Sequence, residues 1–471
     1  MAAAPPAALG LDLGTTRFKL GLLDAQGGLN ELRSCEAPPL TGDGLRREAD
    51  PQLLLASVRD LLGSVQGDRI PLGLACQRSS FLLWDSGTGA PLTPLVSWQD
   101  RRATEWCRRH ASLEPELIAR TGLLLSPHYA GPKLASMLGE QPALAARLAA
   151  GSALFGTLDS WLAWHLGEGR PHQTDLSMAA RTGMLSLATG DWDPLLLDYY
   201  GVAREALPHI VASAGHVTRL QGGLLLAASL ADQASGALAL LDPQADEVLV
   251  NFGTGAFVLW PTGKPETRLP GYLTAPLRSD GRSGQAFVLE GTINGAGPSL
   301  DDCGPPPTSL PAEDLASTAF ALPDRAGIGA PHWRPGLGPA WSSAAAGMAP
   351  ADLRRVMLEG LLFRVREILD GLGQGRTPAR LLVAGGLTRD PALATGLASL
   401  LGRPVEVMTE AEATVLGAGR LAAGLAPRLA VNADVIKPSS AGAYLAAKYP
   451  RWQAWLAELL NQPLPLSDSP Q

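Results

Sequence analysis

The chain has 471 residues, of which 46% are hydrophobic and 18% are charged, and its formal net charge is −7. This length exceeds the size at which one hydrophobic core keeps growing, so we expect two or three domains. Proteins that bind nucleic acids or membrane surfaces favour a basic face, and the acidic balance therefore predicts neither kind of partner.

The start of the chain and its most apolar region do not have the pattern of a leader or a membrane span. Met1–Pro6 holds no Lys or Arg, which is not typical of a signal peptide. The apolar region Leu220–Leu241 contains Asp232, and a transmembrane helix does not readily carry an aspartate at its centre. The four cysteines form no CxxC pair, so we expect reduced thiols in a cytoplasmic protein.

Two short segments have the same pattern. Leu9–Thr16 is an apolar run that breaks at Gly-Thr-Thr, and Val248–Gly255 is an apolar run that breaks at Gly-Thr-Gly. A second apolar run follows each break, which predicts a β-hairpin whose tip carries Gly and Thr. Such a tip offers backbone N–H groups, hydroxyls and close approach to an anion. One hairpin in each half of the chain predicts two lobes that hold one polyphosphate between them.

The rest of the first half has the pattern of a mixed α/β domain. The predicted helices are Asp50–Val65, Gln99–Arg120 and Lys133–Ala150, and the predicted strands are Ile70–Cys76 and Phe81–Trp84. A polar segment with Pro243, Asp242–Glu247, precedes the second hairpin. We predict the domain junction there, with domains over residues 1–242 and 243–471.

The second half continues the α/β pattern. Helical periodicity over Asp352–Leu372 is interrupted at Gly371, and Leu381–Ala384 is typical of a buried strand. Glu410–Ala423 is predicted to be the last helix. The tail Pro463–Gln471 is short and polar, and we expect it to be flexible.

Asp12 is the first residue with candidate chemistry. It lies in the first predicted strand, on the face opposite Leu11 and Leu13, two residues before the Gly-Thr-Thr tip. A carboxylate at the mouth of a phosphate loop can hold Mg²⁺, often through water. A solvated aspartate on an edge strand explains the residue equally well, and both interpretations stay open.

Asp232-Gln233 and Arg78 are candidates for the reacting site. Asp232 follows an apolar run and precedes a helical pattern, so it is either a helix N-cap or a general base that takes a proton from an alcohol. Gln233 would then hold a neighbouring hydroxyl, and the two roles of Asp232 are compatible. Arg78 follows a short strand, where ligands collect in α/β proteins, but a surface arginine is the simpler interpretation of a single residue.

Glycines near the end of the chain allow two interpretations. Gly385-Gly386 follows the last predicted strand and Gly417 lies in the last predicted helix. They either line an adenine slot or serve tight turns and close packing. The sequence has no P-loop, no HExxH, and no GxSxG in a strand–turn–helix context, which argues against P-loop NTPases, zincins and α/β-hydrolases.

In their order along the chain, these residues resemble the FGGY family of carbohydrate kinases, and most of all its glycerol-kinase branch. The matching stretches are Leu11–Thr16, Gln77-Arg78, Trp98–Arg102, Leu158–Leu162, Thr174-Asp175, Ala180–Thr182, Ala231–Gln233, Phe252–Gly255, Glu290-Gly291, Ala296-Gly297, Gly385-Gly386 and Glu412–Gly417. No single stretch is specific, but their number and order are.

The resemblance implies an α/β fold of two ribonuclease-H-like domains, the actin/Hsp70/sugar-kinase architecture, with the active site in the cleft between them. It implies an ATP-dependent kinase that phosphorylates a primary hydroxyl of glycerol or a related polyol or sugar, with Mg²⁺ as the metal. By resemblance, Asp232 is the base, Arg78 and Gln233 bind the acceptor, and Asp12 organises Mg²⁺. The nucleotide-binding residues implied are Thr15, Thr16, Lys19, Gly253, Thr254, Gly255, Gly297, Gly386 and Asp390.

The acceptor pocket departs from the glycerol pattern at positions 79, 128 and 231. Ser79 stands where that branch has Glu, His128 stands at the aromatic position of the pocket, and Ala231 replaces the usual Gly. Since exchanging a carboxylate for a hydroxyl changes specificity strongly, the acceptor could be another polyol or a ketose. An ATPase of the same architecture and a non-catalytic sugar sensor are the alternatives. A homodimer is compatible with the resemblance.

Overall fold

The computed structural model describes residues 5–265, 267–280, 286–307, 309–310, 317–325, 327–430 and 433–462. The tail 463–471, predicted to be flexible, lies outside these residues. In the described ranges, no helix combines the length and apolar character that crossing a bilayer requires.

The first half contains fourteen strands and nine α-helices in the part that the structure describes. The strands are β1 (Ala8–Leu13), β2 (Arg17–Leu23), β3 (Leu29–Glu36), β4 (Glu48–Ala49), β5 (Pro71–Cys76), β6 (Phe81–Asp85), β7 (Leu95–Val96), β8 (Ala153–Thr157), β9 (Gln173–Asp175), β10 (Leu185–Ser186), β11 (Asp191–Trp192), β12 (His209–Val211), β13 (Ala214–Arg219) and β14 (Leu225–Ala231). The helices are α1 (Pro51–Gly63), α2 (Thr104–Arg109), α3 (Glu114–Thr121), α4 (Ala130–Glu140), α5 (Pro142–Ala149), α6 (Leu158–Leu166), α7 (Leu176–Ala179), α8 (Pro194–Tyr200) and α9 (Asp232–Leu240).

The second half follows the same alternation. Its described strands are β15 (Glu247–Phe252), β16 (Ala256–Thr262), β17 (Leu273–Arg278), β18 (Ala286–Ile293), β19 (Ala321–Leu322), β20 (Ala340–Trp341), β21 (Arg380–Ala384), β22 (Val405–Met408) and β23 (Ala433–Ile436). Its described helices are α10 (Ala296–Asp301), α11 (Pro350–Gly373), α12 (Pro391–Leu401), α13 (Ala413–Ala422) and α14 (Gly442–Asn461).

The two large sheets share the same arrangement around a central strand. The first sheet is ordered β13-β14-β5-β1-β2-β3, with β1, β2 and β3 antiparallel and with β5 and β14 parallel to β1. The second is ordered β17-β18-β16-β15-β21-β22-β23, and β15 is antiparallel to β16 and parallel to β21. In each sheet the first strand therefore lies between its antiparallel hairpin partner and two successive parallel strands, β5 and β14 in the first sheet and β21 and β22 in the second. This repeated arrangement confirms the predicted pair of ribonuclease-H-like domains. We call them the first and second lobes.

Helix α13 comes from the second half of the chain but packs on the first sheet. A Cβ on Gly10 of β1 would lie 2.0 Å from the Val415 carbonyl oxygen, and a Cβ on Gly73 of β5 would lie 1.9 Å from the Ala418 carbonyl oxygen. Gly417 meets α9 in the same way, with the Ser235 carbonyl oxygen 2.3 Å from an added Cβ. Gly417 thus serves close helix packing, the second of its two predicted interpretations. The junction near residue 242 stays a prediction.

Several predicted helix bounds are wrong, and prolines explain two of them. The helix predicted over 99–120 starts only at Thr104 and is interrupted between α2 and α3, where Pro115 occupies the first turn of α3. The helix predicted over 133–150 is divided at Gln141, and Pro142 starts α5. A proline has no N–H to donate within a helix, so it begins a new helix more readily than it continues one.

Two further differences lie in the second lobe. Helix α11 runs through Gly371, where an added Cβ would lie 1.9 Å from the Tyr272 hydroxyl, so this glycine makes room for a side chain and does not end the helix. The segment predicted as the last helix is followed by α14, which carries Pro450 in its interior. Its hydrophobic residues pack into the core of the second lobe, including Tyr444, Trp452 and Leu456.

Candidate active site

Three neighbouring strands bring the candidate catalytic residues to one edge of the first sheet. In the parallel pairs, Leu13 of β1 is paired with Cys76 of β5, and Cys76 is paired with Ala231 of β14. The carboxyl ends of these strands therefore lie side by side, which is where ligands bind in parallel sheets. Asp232 directly follows the end of β14, Arg78 is the second residue after the end of β5, and Asp12 is the last residue but one of β1.

Asp232 is the first residue of α9 and is half-buried. The N–H of Gln233 donates to its carboxylate at 2.8 Å. No side chain caps this helix, so the predicted N-cap role does not apply to Asp232. Burial raises the pKa of Asp232, and the positive charge of Arg78 opposes that rise. A carboxylate with a raised pKa is a stronger proton acceptor once ionised.

Asp12 lies close enough to Asp232 for their charges to interact. Burial and then the charge of Asp232 raise the pKa of Asp12 to about 7, although the charge of Lys19 opposes the rise. Two carboxylates that repel each other in a half-buried site form a donor set that a divalent cation would relieve. Among the residues that the structure describes, no group of three or more His, Cys, Asp or Glu is gathered to hold a metal by itself.

An ion cluster crosses from one lobe to the other beside Asp232. Arg78 Nη1 lies 3.4 Å from Oε2 of Glu290 in β18, and Arg181 pairs with the same oxygen. Burial alone would raise the pKa of Glu290, but the charges of Arg181 and Arg78 hold it below its usual value. Glu290 and Arg181 lie in stretches that match the family, but no role was predicted for either of them. Their contacts join distant parts of the chain: Arg78 is 212 positions from Glu290, and Arg181 is 109 positions from it.

The crevice around this cluster is lined by both lobes. Arg78, Arg181 and Gln233 come from the first lobe, and Leu259, Val288 and Glu290 come from the second. The predicted cleft between the domains is thus present, and the two chain neighbours of Asp232, Ala231 and Gln233, line it. It combines two guanidinium groups, a carboxylate and an amide with an apolar wall.

Ser79 and His128 are two positions at which the chain departs from the glycerol pattern, and both side chains contact protein groups of the first lobe. Ser79 is buried, has a φ of 63°, and donates from its hydroxyl to the Arg181 carbonyl oxygen at 3.0 Å. The His128 ring packs on Trp98 with 5.2 Å between centroids. Burial, together with the charges of Lys133 and other cations, lowers the pKa of His128 to about 3, so its ring is neutral at physiological pH.

The first Gly-Thr tip is tied to the strand ends. Trp98 Nε1 donates to Thr15 Oγ1 at 2.8 Å, and Thr15 Oγ1 donates to Gln77 Oε1 at 3.3 Å. Thr16 is exposed. The ammonium group of Lys19 is 2.9 Å from both carboxylate oxygens of Glu412, the residue before α13.

The second tip is closed by backbone contacts. Gly253 N–H donates to the Gly255 carbonyl at 2.8 Å, and Gly297 N–H donates to the Thr254 carbonyl at 3.1 Å. A Cβ on Gly297 would lie 2.9 Å from the Gly253 carbonyl oxygen, so this approach requires glycine. The structure therefore brings Gly297 to the Gly253–Gly255 tip.

Gly386 and Asp390 follow β21, which pairs with β15 just before that tip. An added Cβ on Gly386 would meet open space. The Asp390 carboxylate caps α12 by accepting from Ala392 N–H at 3.0 Å, and it pairs with Arg354 at 3.2 Å. Its side chain is therefore engaged in structural contacts, and the predicted place of both residues at the nucleotide stays a prediction.

Comparison with known proteins agrees with this architecture. Residues 7–234 match the N-terminal domain, and residues 305–426 the C-terminal domain, of the FGGY family of carbohydrate kinases. The chain belongs to this family, so it is a phosphotransferase that acts on an alcohol group.

The relatives include kinases of different acceptors. A glycerol kinase from Alkalilimnicola ehrlichii is 34% identical over 93% of this chain and 93% of its own. An apulose kinase from Pectobacterium atrosepticum is 29% identical over 97% of this chain and 99% of its own. The fold is that of a Plasmodium falciparum glycerol kinase solved with ADP, with a TM-score of 0.84, 20% identity and coverage of 97% and 98%.

Proposed function

We propose that the protein transfers the γ-phosphoryl group of ATP to a primary hydroxyl of a small polyol or sugar, with Asp232 as the general base. The observation that carries the proposal is the place of Asp232 between Ala231 and Gln233, which both line the crevice between the lobes, within reach of the charge of Arg78. A base must lie within hydrogen-bond reach of the proton that it takes, and a half-buried carboxylate next to the crevice lining supports this role.

Each neighbouring residue has a proposed part in this reaction. Gln233 and Arg78 hold acceptor hydroxyls, and the charge of Arg78 also favours the ionised form of Asp232 against the rise in its pKa that burial causes. Neutral His128 packs beside the pocket on Trp98. The lobes together exclude water, which would otherwise compete with the acceptor for the phosphoryl group.

We propose that the nucleotide phosphates bind between the two Gly-Thr tips. The first tip would supply Thr15, Thr16 and Lys19, and the second Gly253, Thr254 and Gly255. Fixed backbone dipoles stabilise the charge of a transferring phosphoryl group without rearranging during the reaction. Gly297 and Gly386 would let the nucleotide approach the backbone, with Asp390 nearby.

Asp12 is suited to bind Mg²⁺, because this ion prefers one or two carboxylates together with substrate phosphates as ligands. Bound there, Mg²⁺ would neutralise phosphate charge. Asp12 would hold it from β1, and Lys19 balances the charge of Asp12 in the structure.

The acceptor is proposed as glycerol, a related polyol, or a ketose. Ser79 uses its hydroxyl on the Arg181 carbonyl, so it does not reproduce the carboxylate of the glycerol pattern. The relatives named above, a glycerol kinase and an apulose kinase, support both classes of acceptor.

The test is Asp232→Asn, assayed by ADP release with a panel of polyols and ketoses. We expect turnover to fall by roughly 10² to 10⁴-fold while ATP binding, measured by calorimetry, is retained. The matched control is Asp193→Asn, because Asp193 is a buried aspartate that caps α8 and does not line the crevice. Retained turnover in Asp232→Asn, or equal ADP release without any acceptor, would contradict the proposal.

A further inference from the structure

Asp175 is a fully buried carboxylate that the proposed reaction does not use. It belongs to the Thr174-Asp175 motif and stands at the start of α7, where it accepts from Ser177 N–H at 3.1 Å and Met178 N–H at 2.9 Å. It also accepts from the hydroxyls of Ser177 at 2.9 Å and Ser213 at 2.8 Å. Burial and then the charge of Asp159 raise its pKa to about 7, so retaining this charge costs stability.

The Ser177 hydroxyl connects Asp175 to the strand end that carries Asp232. A hydroxyl has one hydrogen, and that of Ser177 is directed to the Asp175 carboxylate. Its lone pairs are thereby left for a donor, and the Ala231 N–H donates to it at 2.8 Å. Ala231 is the last residue of β14 and directly precedes Asp232.

Ser213 connects the same carboxylate to the second lobe. Its hydroxyl accepts from Ser279 N–H at 2.9 Å, and its own N–H donates to the Ser279 carbonyl at 2.7 Å. Ser279 follows β17 of the second lobe, and both serines are buried. One carboxylate therefore joins the backbone beside Asp232 to a contact between the lobes.

We propose that Asp175 is a positioning residue for Asp232, acting through the Ser177 hydroxyl on the Ala231 peptide and tied to the second lobe through Ser213. The inference rests on the proposed function, because it assigns Asp175 a task in placing the proposed base. A base displaced by about 1 Å from its reacting geometry loses roughly 10²-fold in rate. The chain of hydrogen bonds supplies the constraint that prevents such a displacement.

The test is Ser177→Ala, which removes one hydroxyl and leaves the Asp175 carboxylate with its other donors. We expect kcat to fall about tenfold to a hundredfold with KM for ATP and acceptor within about twofold, because the geometry of the base changes and substrate binding does not. Ser177→Thr keeps the hydroxyl and is expected to recover most of kcat. Asp193→Asn serves again as the control, with unchanged kcat and a comparable change in unfolding temperature.

Asp175→Asn and the double variant test whether the residues act as one chain. Asp175→Asn is expected to lower kcat as Ser177→Ala does, and the double variant is expected to be no slower than the slower single variant. Additive losses, wild-type kcat in Ser177→Ala, or a loss that Ser177→Thr does not recover would overturn the positioning role. If Asp175→Asn does not fold, Ser177→Ala and Ser177→Thr decide the question alone. Full turnover in Asp232→Asn would instead overturn the proposed function, so the two failures are distinguishable.

Discussion

At the scale of single residues, Ser79 shows how this crevice departs from the glycerol pattern. Its φ of 63° is a left-handed conformation that costs a non-glycine residue about 1 kcal/mol. Its hydroxyl donates to the carbonyl of Arg181, and the guanidinium of Arg181 pairs with Glu290. Ser79 therefore holds the backbone of Arg181, which belongs to the ion cluster. We infer that the role of Ser79 is to stabilise this side of the crevice.

This interpretation predicts different costs for two small substitutions at position 79. Ser79→Ala keeps the strained φ and loses the hydrogen bond, so the free energy of unfolding should fall by about 1 to 2 kcal/mol. Ser79→Gly loses the same bond but relieves the strain, so it should be about 1 kcal/mol more stable than Ser79→Ala. Urea unfolding of both variants measures the difference. Equal stabilities would show that the backbone at Ser79 is not strained.

At the scale of elements, α13 is packed so closely that its glycines have no room for a side chain. An alanine normally stabilises a helix interior by about 1 kcal/mol relative to glycine. At position 417 the added methyl would lie 2.3 Å from the Ser235 carbonyl oxygen of α9. Because that atom belongs to the backbone, it cannot move aside without displacing the helix.

We therefore expect Gly417→Ala to lower the free energy of unfolding by about 1 to 3 kcal/mol. The matched control is Gly139→Ala in α4, where an added Cβ meets nothing within 4 Å. That substitution should stabilise the protein by about 1 kcal/mol. Chemical denaturation distinguishes the two, and a stabilising effect of Gly417→Ala would show that α13 is free to shift.

At the scale of the whole molecule, α13 joins the two halves of the chain. Ala413 and Ala418 belong to the same core cluster as Leu9, Leu11 and Leu72 of the first sheet. We propose that the lobes divide near residue 242, with α13 returning to complete the first lobe. The first lobe then depends on a segment that is read from the second half of the sequence.

A fragment of residues 1–242 should not fold by itself, because it lacks the helix that covers β1 and β5. We expect no cooperative thermal transition for this fragment alone, and recovery of a folded complex when residues 243–471 are produced with it. The intact chain is the control, and it should unfold cooperatively. A cooperative transition in the isolated fragment would show that α13 is not required for the first lobe.

Local patterns in the sequence were sufficient for much of the fold. The two hairpins, helix α1 and strands β5, β6 and β21 were predicted from short-range periodicity and turn residues. The breaks at His110 and Gln141 were missed although Pro115 and Pro142 mark the new helices in the sequence. Helix α14 carries Pro450 in its interior, and tertiary packing in the second core stabilises it. For the site, Asp12, Arg78 and Asp232 were identified as candidates because each stands where a predicted strand ends or turns.

The sequence by itself determined which residues stand at strand ends and tips, because backbone sterics and the two-residue period of a strand act over a few neighbours. Only the tertiary structure decided their partners. It placed Glu290 against Arg78 and Arg181, closed α13 over the first sheet, and turned the Ser79 hydroxyl to a backbone carbonyl. A buried charge or hydroxyl must find a partner, and that partner is set by which distant segments the core brings together.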